Sequence, residues 1–345
     1  MQKEAQLNNF DFLRIVAVLL VLINHQFDLT RRVAPGLFSF QSMGGIGVLI
    51  FFSISGYLVA QSWDRDSSVP RFLARRVIRI WPGLIMVTLL AAFLLGPLAS
   101  SLPMAAYFHA PEFRGYFATL EMRIQFDLPG VFKDNPWGSA VNGSLWTLPL
   151  EVRWYVVLAV LGLAGILRRR FLVLLGAVAF AIFVFVIRDA QHRVDRSLLN
   201  EFGAFFFYGV CLNYFNDIWT RRPALIAVLL AVISFALAKT GYQYTAFFAI
   251  FPFAVIWIGT SSTPVIRRFG RFGDFSYGMY IYAFPVQQTV IWLSGNRISL
   301  IQGLIVSAIC TAILAFISWH LVERRGLALK RFIRKPARQQ LVAAT

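Results

Sequence analysis

Charge is scarce in this chain, and acidic charge scarcer still. Of its 345 residues only 14% are Asp, Glu, Lys or Arg, with 16 acidic residues against 33 basic ones. A soluble domain carries nearer a quarter charged residues, so a water-soluble globular fold is excluded. There are two cysteines, Cys211 and Cys310, both inside apolar runs. Without a CxxC or a Cys/His cluster, neither a disulfide framework nor a zinc site is expected, and no metal is assigned. Short segments of strictly alternating polarity are lacking, which argues against a transmembrane β-barrel. Internal repeats, low-complexity tracts and a separate second domain are lacking as well.

What fills the chain is apolar sequence: 58% hydrophobic residues and a mean hydropathy of +0.65. Ten apolar runs stand at 10–27, 45–61, 82–101, 142–167, 171–187, 198–218, 223–238, 242–259, 275–293 and 300–322. Runs of this length read as membrane helices. The fold class is therefore all-α, a polytopic membrane protein of about ten transmembrane helices. The first run has one Lys and one Glu before it and no small-residue cleavage site after it, so it is expected to be retained rather than removed as a signal peptide.

The net charge of +17 is not gathered into a basic domain, which argues against nucleic acid. Of the Lys and Arg residues, 21 fall between runs on the side of the N-terminus and 10 on the other; Arg14 and Arg153 lie inside runs. Positive charge collects on the cytoplasmic side, so both termini are predicted inside. A single domain spanning 1–345 follows: a cytoplasmic segment 1–9, a helical bundle 10–322 and a basic cytoplasmic tail 323–345. The longest loop, 102–141, then faces outward, and part of it is expected to re-enter the protein.

The first run, FDFLRIVAVLLVLINHQF, carries Asp11, Arg14 and His25. At 100° per residue, Arg14 and His25 lie about 20° apart around the helix and about 16 Å apart along it. Asp11 is about 40° from His25. Such a polar stripe faces partner helices or a cavity. The plain reading is an Asp11–Arg14 ion pair at the interface; the functional one is a water-accessible path from Arg14 to His25.

Two further stretches bear on that choice. RFLARRVIRIWP places Arg71, Arg75, Arg76 and Arg79 as neighbours on an amphipathic interfacial helix. Guanidinium forks there suit either anionic lipid head groups or the phosphates of a polyphosphorylated donor. In NGSLWTLPLEVRWYVVL, Glu151 stands about 14 Å into its run, where a carboxylate needs a partner. That partner is either an arginine on another helix or His25, which the carboxylate would orient or relieve of a proton. FGDFSYGMYIYAFPVQQ is unusually polar for a span. Pro285 is expected to kink it, and Tyr277 reads as an interfacial anchor.

Taken in order, FDFLRIVAVLLVLINH, GVLIFFSISGYLVA, RFLARRVIRIWP, SLWTLPLEVRWY and FGDFSYGMYIYAFPV resemble the acyltransferase-3 family of integral membrane acyltransferases. The resemblance runs over nearly the whole chain. It implies ten membrane helices and transfer of an acyl group, often acetyl, from cytoplasmic acyl-CoA to a hydroxyl of an extracytoplasmic or lipid-linked saccharide, with the bacterial inner membrane as location. It points to His25, Glu151 and Arg14 as catalytic and to Arg76 and Arg79, with Arg75, as donor-binding. No permanently bound cofactor is implied. Some members add a C-terminal hydrolase domain, and the stand-alone form is expected here. Many have a histidine before the proline of the ninth-run motif; Ala283 stands there, which leaves the chemistry to His25. Charged residues within spans also mark secondary transporters, which is the alternative function.

Overall fold

A computed structural model describes residues 8–36, 40–187 and 198–333. Most of the predicted N-terminal segment, and the tail from 334, lie outside the described residues. Among the described residues the chain is helical, with two isolated bridges and no strand.

Every predicted apolar run forms a helix: α1 (Phe10–Leu29), α2 (Met43–Arg65), α3 (Val69–Leu90), α4 (Leu148–Leu163), α5 (Arg170–Ala181), α6 (Leu198–Tyr214), α7 (Pro223–Lys239), α8 (Gln243–Thr260), α9 (Ser276–Leu293) and α10 (Leu300–Ser318). Among the described residues six stretches are long and apolar enough to cross a bilayer: Phe10–Leu29, Met43–Arg65, Val69–Ala99, Gly143–Leu163, Gln243–Thr260 and Leu300–Ile333. The other four runs make helices that are shorter or more polar.

The centre is the pair α2 and α6, whose side chains are mostly buried. They approach closely because Gly56 and Gly209 present bare backbone. A Cβ on Gly56 would run into the Phe206 carbonyl, and one on Gly209 into that of Ser53. Small residues serve this purpose in membrane bundles, where packing replaces the hydrophobic effect as the associating force. Helix α10 shows the same logic at spacing i, i+4. Gly303, Ser307, Thr311 and Ala315 are buried, while Ile301, Ile305, Ile309 and Ile313 face outward. Helix α7 has no buried residue at all. These outward apolar stripes belong to a multi-pass membrane protein.

Three local expectations are corrected. The arginine-rich segment is not a separate interfacial helix: it is the first half of α3, which continues through Pro82, a π-turn (Ala91–Leu95) and Gly96–Ala99. The fourth run is not one helix; it opens as a 3₁₀ turn (Gly143–Thr147) capped by Asn142, and it ends at Gly165 in a left-handed conformation. The chain does not leave the bundle at 322. It stays helical to Ile333, and Lys330 and Ile333 return to line a cavity.

The long loop does fold back. Met104–His109, Pro111–Gly115 and Tyr116–Glu121 run down beside α3, where Phe93 meets Phe108, Phe113 and Phe117. At the tip the Leu120 carbonyl accepts from the Trp81 indole at 3.0 Å. Trp81 lies five residues beyond Arg76 along α3, near the middle of that long stretch. Irregular backbone at such depth is tolerated only against protein or a cavity.

Candidate active site

A cavity of about 1030 Å³ opens among α1, α2, α3, α4, α9 and the helical continuation of α10. Its wall carries six cations, Arg14, Arg65, Arg75, Arg76, Arg79 and Lys330, against three carboxylates, Asp66, Glu151 and Asp274. The excess of cations suits an anion. The volume is at the upper end of small-molecule sites, which suits a large one.

The carboxylates divide the arginines into paired and free. Asp66, in the turn between α2 and α3, accepts two hydrogen bonds of 2.8 Å from Arg71 and one of 2.7 Å from Arg75. The bonds from Arg71 and then Arg75 hold its carboxyl well below the usual range. Asp274, just before α9, accepts from Arg79 at 2.7 Å and Arg14 at 3.4 Å, and Ser276 Oγ donates to its other oxygen at 2.7 Å. Burial works to raise the Asp274 carboxyl, but the guanidiniums of Arg79 and Arg14 outweigh it and hold the group at about 2. Arg76 is different. It has no carboxylate partner among the described residues. It donates to Ser62 Oγ at 3.2 Å and lies 5.7 Å from the rings of Phe72 and Tyr155, and its buried Nε has no partner.

The helical spacing predicted for the arginines is observed, and it delivers Arg75, Arg76 and Arg79 to one cavity together with Arg14 from α1. They are not equivalent there. Arg75 shares Asp66 with Arg71 and works as a clamp on the α2–α3 turn. Glu151 makes no direct ion pair with an arginine or with His25 among the described residues: the carboxylate accepts from Ser55 at 3.0 Å and from Tyr155, which bonds Ser55 in turn at 3.0 Å. Both hydroxyls bond the same carboxylate oxygen, and Arg76 acts on the group through space. Tyr277 is not an interfacial anchor. It lines the cavity, donates to the Ile80 carbonyl at 2.7 Å and lies 5.6 Å from the Arg79 guanidinium.

His25 stands apart. It faces the bundle and meets the edge of Phe284, with ring centroids 5.2 Å apart at 79°. Its Nδ1 is buried and unpartnered. Neither His25 nor Phe284 lines the cavity. The lining on α9 ends at Tyr280, one turn short of Phe284, where the Tyr280 hydroxyl meets Thr147 at 2.6 Å and its ring meets Phe51 at 5.7 Å. His25 therefore does not line the cavity that Arg14 lines.

Sequence reasoning missed Asp274, Tyr155, Ser55 and Ser62. Tyr155 had a signal, being one turn from Glu151 on the same helix. Asp274 had a weaker one, as an acid at the head of a polar span. The serines had none.

Comparison with known proteins shows the family. Residues 7–322 match the acyltransferase domain family of the acyltransferase-3 type. An O-acetyl transferase of Shigella phage Sf6 is 36% identical over 93% of this chain and 96% of its own. Nodulation protein 10 of Rhizobium leguminosarum bv. viciae is 28% identical over 94% of each chain. Regulator of hypoxia-inducible factor 1 of Caenorhabditis elegans is 28% identical over 45% of this chain and 34% of its own. No solved structure matches. The chain belongs to the acyltransferase-3 family and is a multi-pass membrane O-acyltransferase.

Proposed function

We propose that the protein takes an acyl group, acetyl by analogy with the phage relative, from acyl-CoA on the cytoplasmic side of a bacterial inner membrane and places it on a hydroxyl of an extracytoplasmic or lipid-linked saccharide. Both termini lie inside on this reading, following the basic-loop bias. The single observation that carries it is Arg76, a guanidinium without an acidic partner on the wall of a strongly cationic cavity. A buried fork of donors without an anion is costly, and a phosphate satisfies it.

The donor's phosphates occupy the end of the cavity lined by Arg76, Arg79 and Lys330, with Arg75 at its edge. The pantetheine arm runs past Ser55, Glu151 and Tyr155 toward Tyr280. Displacement of the Tyr280 and Phe284 rings brings the thioester to His25. The acceptor hydroxyl gives its proton to the imidazole, and its oxygen attacks the thioester carbonyl. The C–S bond breaks as the new C–O bond is completed. The thiolate takes the proton back and leaves as the CoA thiol, while the ester stays on the acceptor. Arg14 steers the anionic donor, and Glu151, held by its two hydroxyls, lines the arm's path.

The test uses purified full-length protein in nanodiscs with labelled acetyl-CoA. Free thiol and labelled acceptor should form in equal amounts, and His25→Ala should form neither. An intact His25→Ala protein that still transfers the label would overturn the role of the imidazole. Label held on wild-type protein before acceptor is added would make His25 an acyl carrier instead of a base. A transporter would release no thiol at all.

A further inference from the structure

Past α10 the chain continues through a π-turn (Trp319–Glu323), a short helix (Arg324–Ala328) and a 3₁₀ turn (Leu329–Ile333). Two close approaches hold this segment in place. Gly326 lies against α3 at the residues that flank Arg79: a Cβ there would stand 2.8 Å from Pro82 Cγ and 4.0 Å from the Ile78 carbonyl oxygen. Gly278 on α9 gives room to Glu323, whose Oε1 would stand 3.1 Å from a Cβ added there. Glu323 is buried and accepts from Ser318 Oγ at 3.0 Å, and Ser318 Oγ accepts from the Tyr282 hydroxyl at 3.2 Å. The segment is thus packed between the helix that carries Arg76 and Arg79 and the helix that follows Asp274.

That docking delivers Lys330, one turn beyond Gly326, to the cavity wall. Lys330 has no ion-pair partner among the described residues. Of its charged neighbours Arg76 acts on it most strongly, followed by Arg79, Asp274 and Arg75. The one acid in that set already accepts from Arg79, Arg14 and Ser276. Two cations without an acid, Arg76 and Lys330, therefore repel each other across one cavity, and an anion between them relieves the cost. Arg65 also lines the cavity without an acid, but it is exposed and turns back on its own helix, its Nε donating to the Gln61 carbonyl at 3.1 Å.

The two cations suit different groups. A guanidinium fork matches paired oxygens, as on a diphosphate, whereas a lysine ammonium is a compact point charge on a flexible stem. CoA offers both kinds of partner. A diphosphate joins its pantetheine to its adenosine, and a phosphate monoester on the ribose 3′ oxygen carries a charge of about −2 at pH 7. Resting on the acyl-CoA reading above, we propose that Lys330 grips this 3′-phosphate monoester while Arg76 and Arg79 hold the diphosphate. The segment beyond α10 is then part of the donor site, and it makes the protein select CoA over a nucleotide that lacks the monoester.

The experiment titrates CoA and dephospho-CoA into full-length protein in nanodiscs by calorimetry, at one fixed salt concentration. Wild type binds CoA about tenfold more tightly than dephospho-CoA. Lys330→Ala and Lys330→Met, the second of nearly the same length without the charge, bind the two within twofold of each other. Their affinity for dephospho-CoA stays within twofold of wild type, which shows that the rest of the site is intact. Lys330→Arg keeps the preference for CoA. Equal binding of the two nucleotides by wild type overturns the assignment. So does a Lys330→Met protein that keeps the preference, or a loss of affinity for both nucleotides alike. Binding of neither nucleotide to wild type removes the acyl-CoA reading itself.

Discussion

Asp274 Oδ2 lies 2.7 Å from the Arg79 guanidinium and 3.4 Å from that of Arg14. One carboxylate thereby ties the arginine-rich helix to the helix that carries His25. It also fixes where Arg79 stands, while Arg76, on the same helix, has no ion-paired acid among the described residues.

Asp274→Asn should free Arg79 to swing, while Asp11 keeps its 3.0 Å ion pair with Arg14, and raise the acyl-CoA KM about tenfold, roughly 1.4 kcal/mol. Because the folded carboxyl is held at about 2, below its ordinary 3.8, the stabilisation is fully present above pH 4 and is lost as pH falls toward 2. The difference in melting temperature between wild type and variant should be constant from pH 8 to pH 5 and shrink by pH 3. A gap that persists unchanged at pH 3 would show that Asp274 acts through packing.

Arg76→Ala should abolish turnover at any practical acyl-CoA concentration. Arg76→Lys should rescue little, since a lysine loses both the planar fork and the stacking on Phe72 and Tyr155. Arg71→Ala, by contrast, removes one half of the Asp66 clamp. It should lower the melting temperature while the acyl-CoA KM moves less than threefold. Equal KM effects at the two positions would refute the division into free and clamped arginines.

His25→Ala should lower the rate by about a thousandfold or more, with a folding cost limited to roughly 1 kcal/mol of lost contact with Phe284. Size-exclusion profile and thermal melt should match wild type, so that inactivity reports chemistry.

Phe284→Ala removes a ring that stands against the imidazole beyond the end of the cavity. Hydrolysis of acyl-CoA in the absence of acceptor should rise severalfold, read as thiol release. A variant that hydrolyses no faster than wild type would place the connection between cavity and His25 elsewhere.

Gly56→Leu should prevent recovery of folded protein, because any side chain meets the α6 backbone. Gly176→Leu on the outer face of α5, where nothing lies within reach of an added Cβ, should be recovered at wild-type yield. The pair checks the α2–α6 approach by detergent-stable monomer yield.

Much of the helical frame was legible in the sequence. Apolar runs announce themselves because a bilayer segment must satisfy its backbone internally whatever its neighbours do. The clustering of Arg75, Arg76 and Arg79 was legible for a related reason, since helical spacing alone makes them neighbours. What Glu151 bonds was not legible. Its two candidate partners were an arginine and an imidazole, and the fold supplied hydroxyls from α2 and α4. The pairing of Arg14 and Arg79 on Asp274 was invisible too, because it joins residues about 195 and 260 positions apart.

The sequence by itself determined that this chain threads a membrane as helices and which residues share a face of each helix, because both are set by local geometry and by the cost of bare backbone in lipid. Only the tertiary structure decided which arginines are spent on acids and that Arg76 is not among them. It also decided that the histidine packs against Phe284 and does not line the cavity. Those outcomes depend on how helices distant in sequence are rotated and pressed together, and close packing through residues such as Gly56 and Gly209 fixes that rotation.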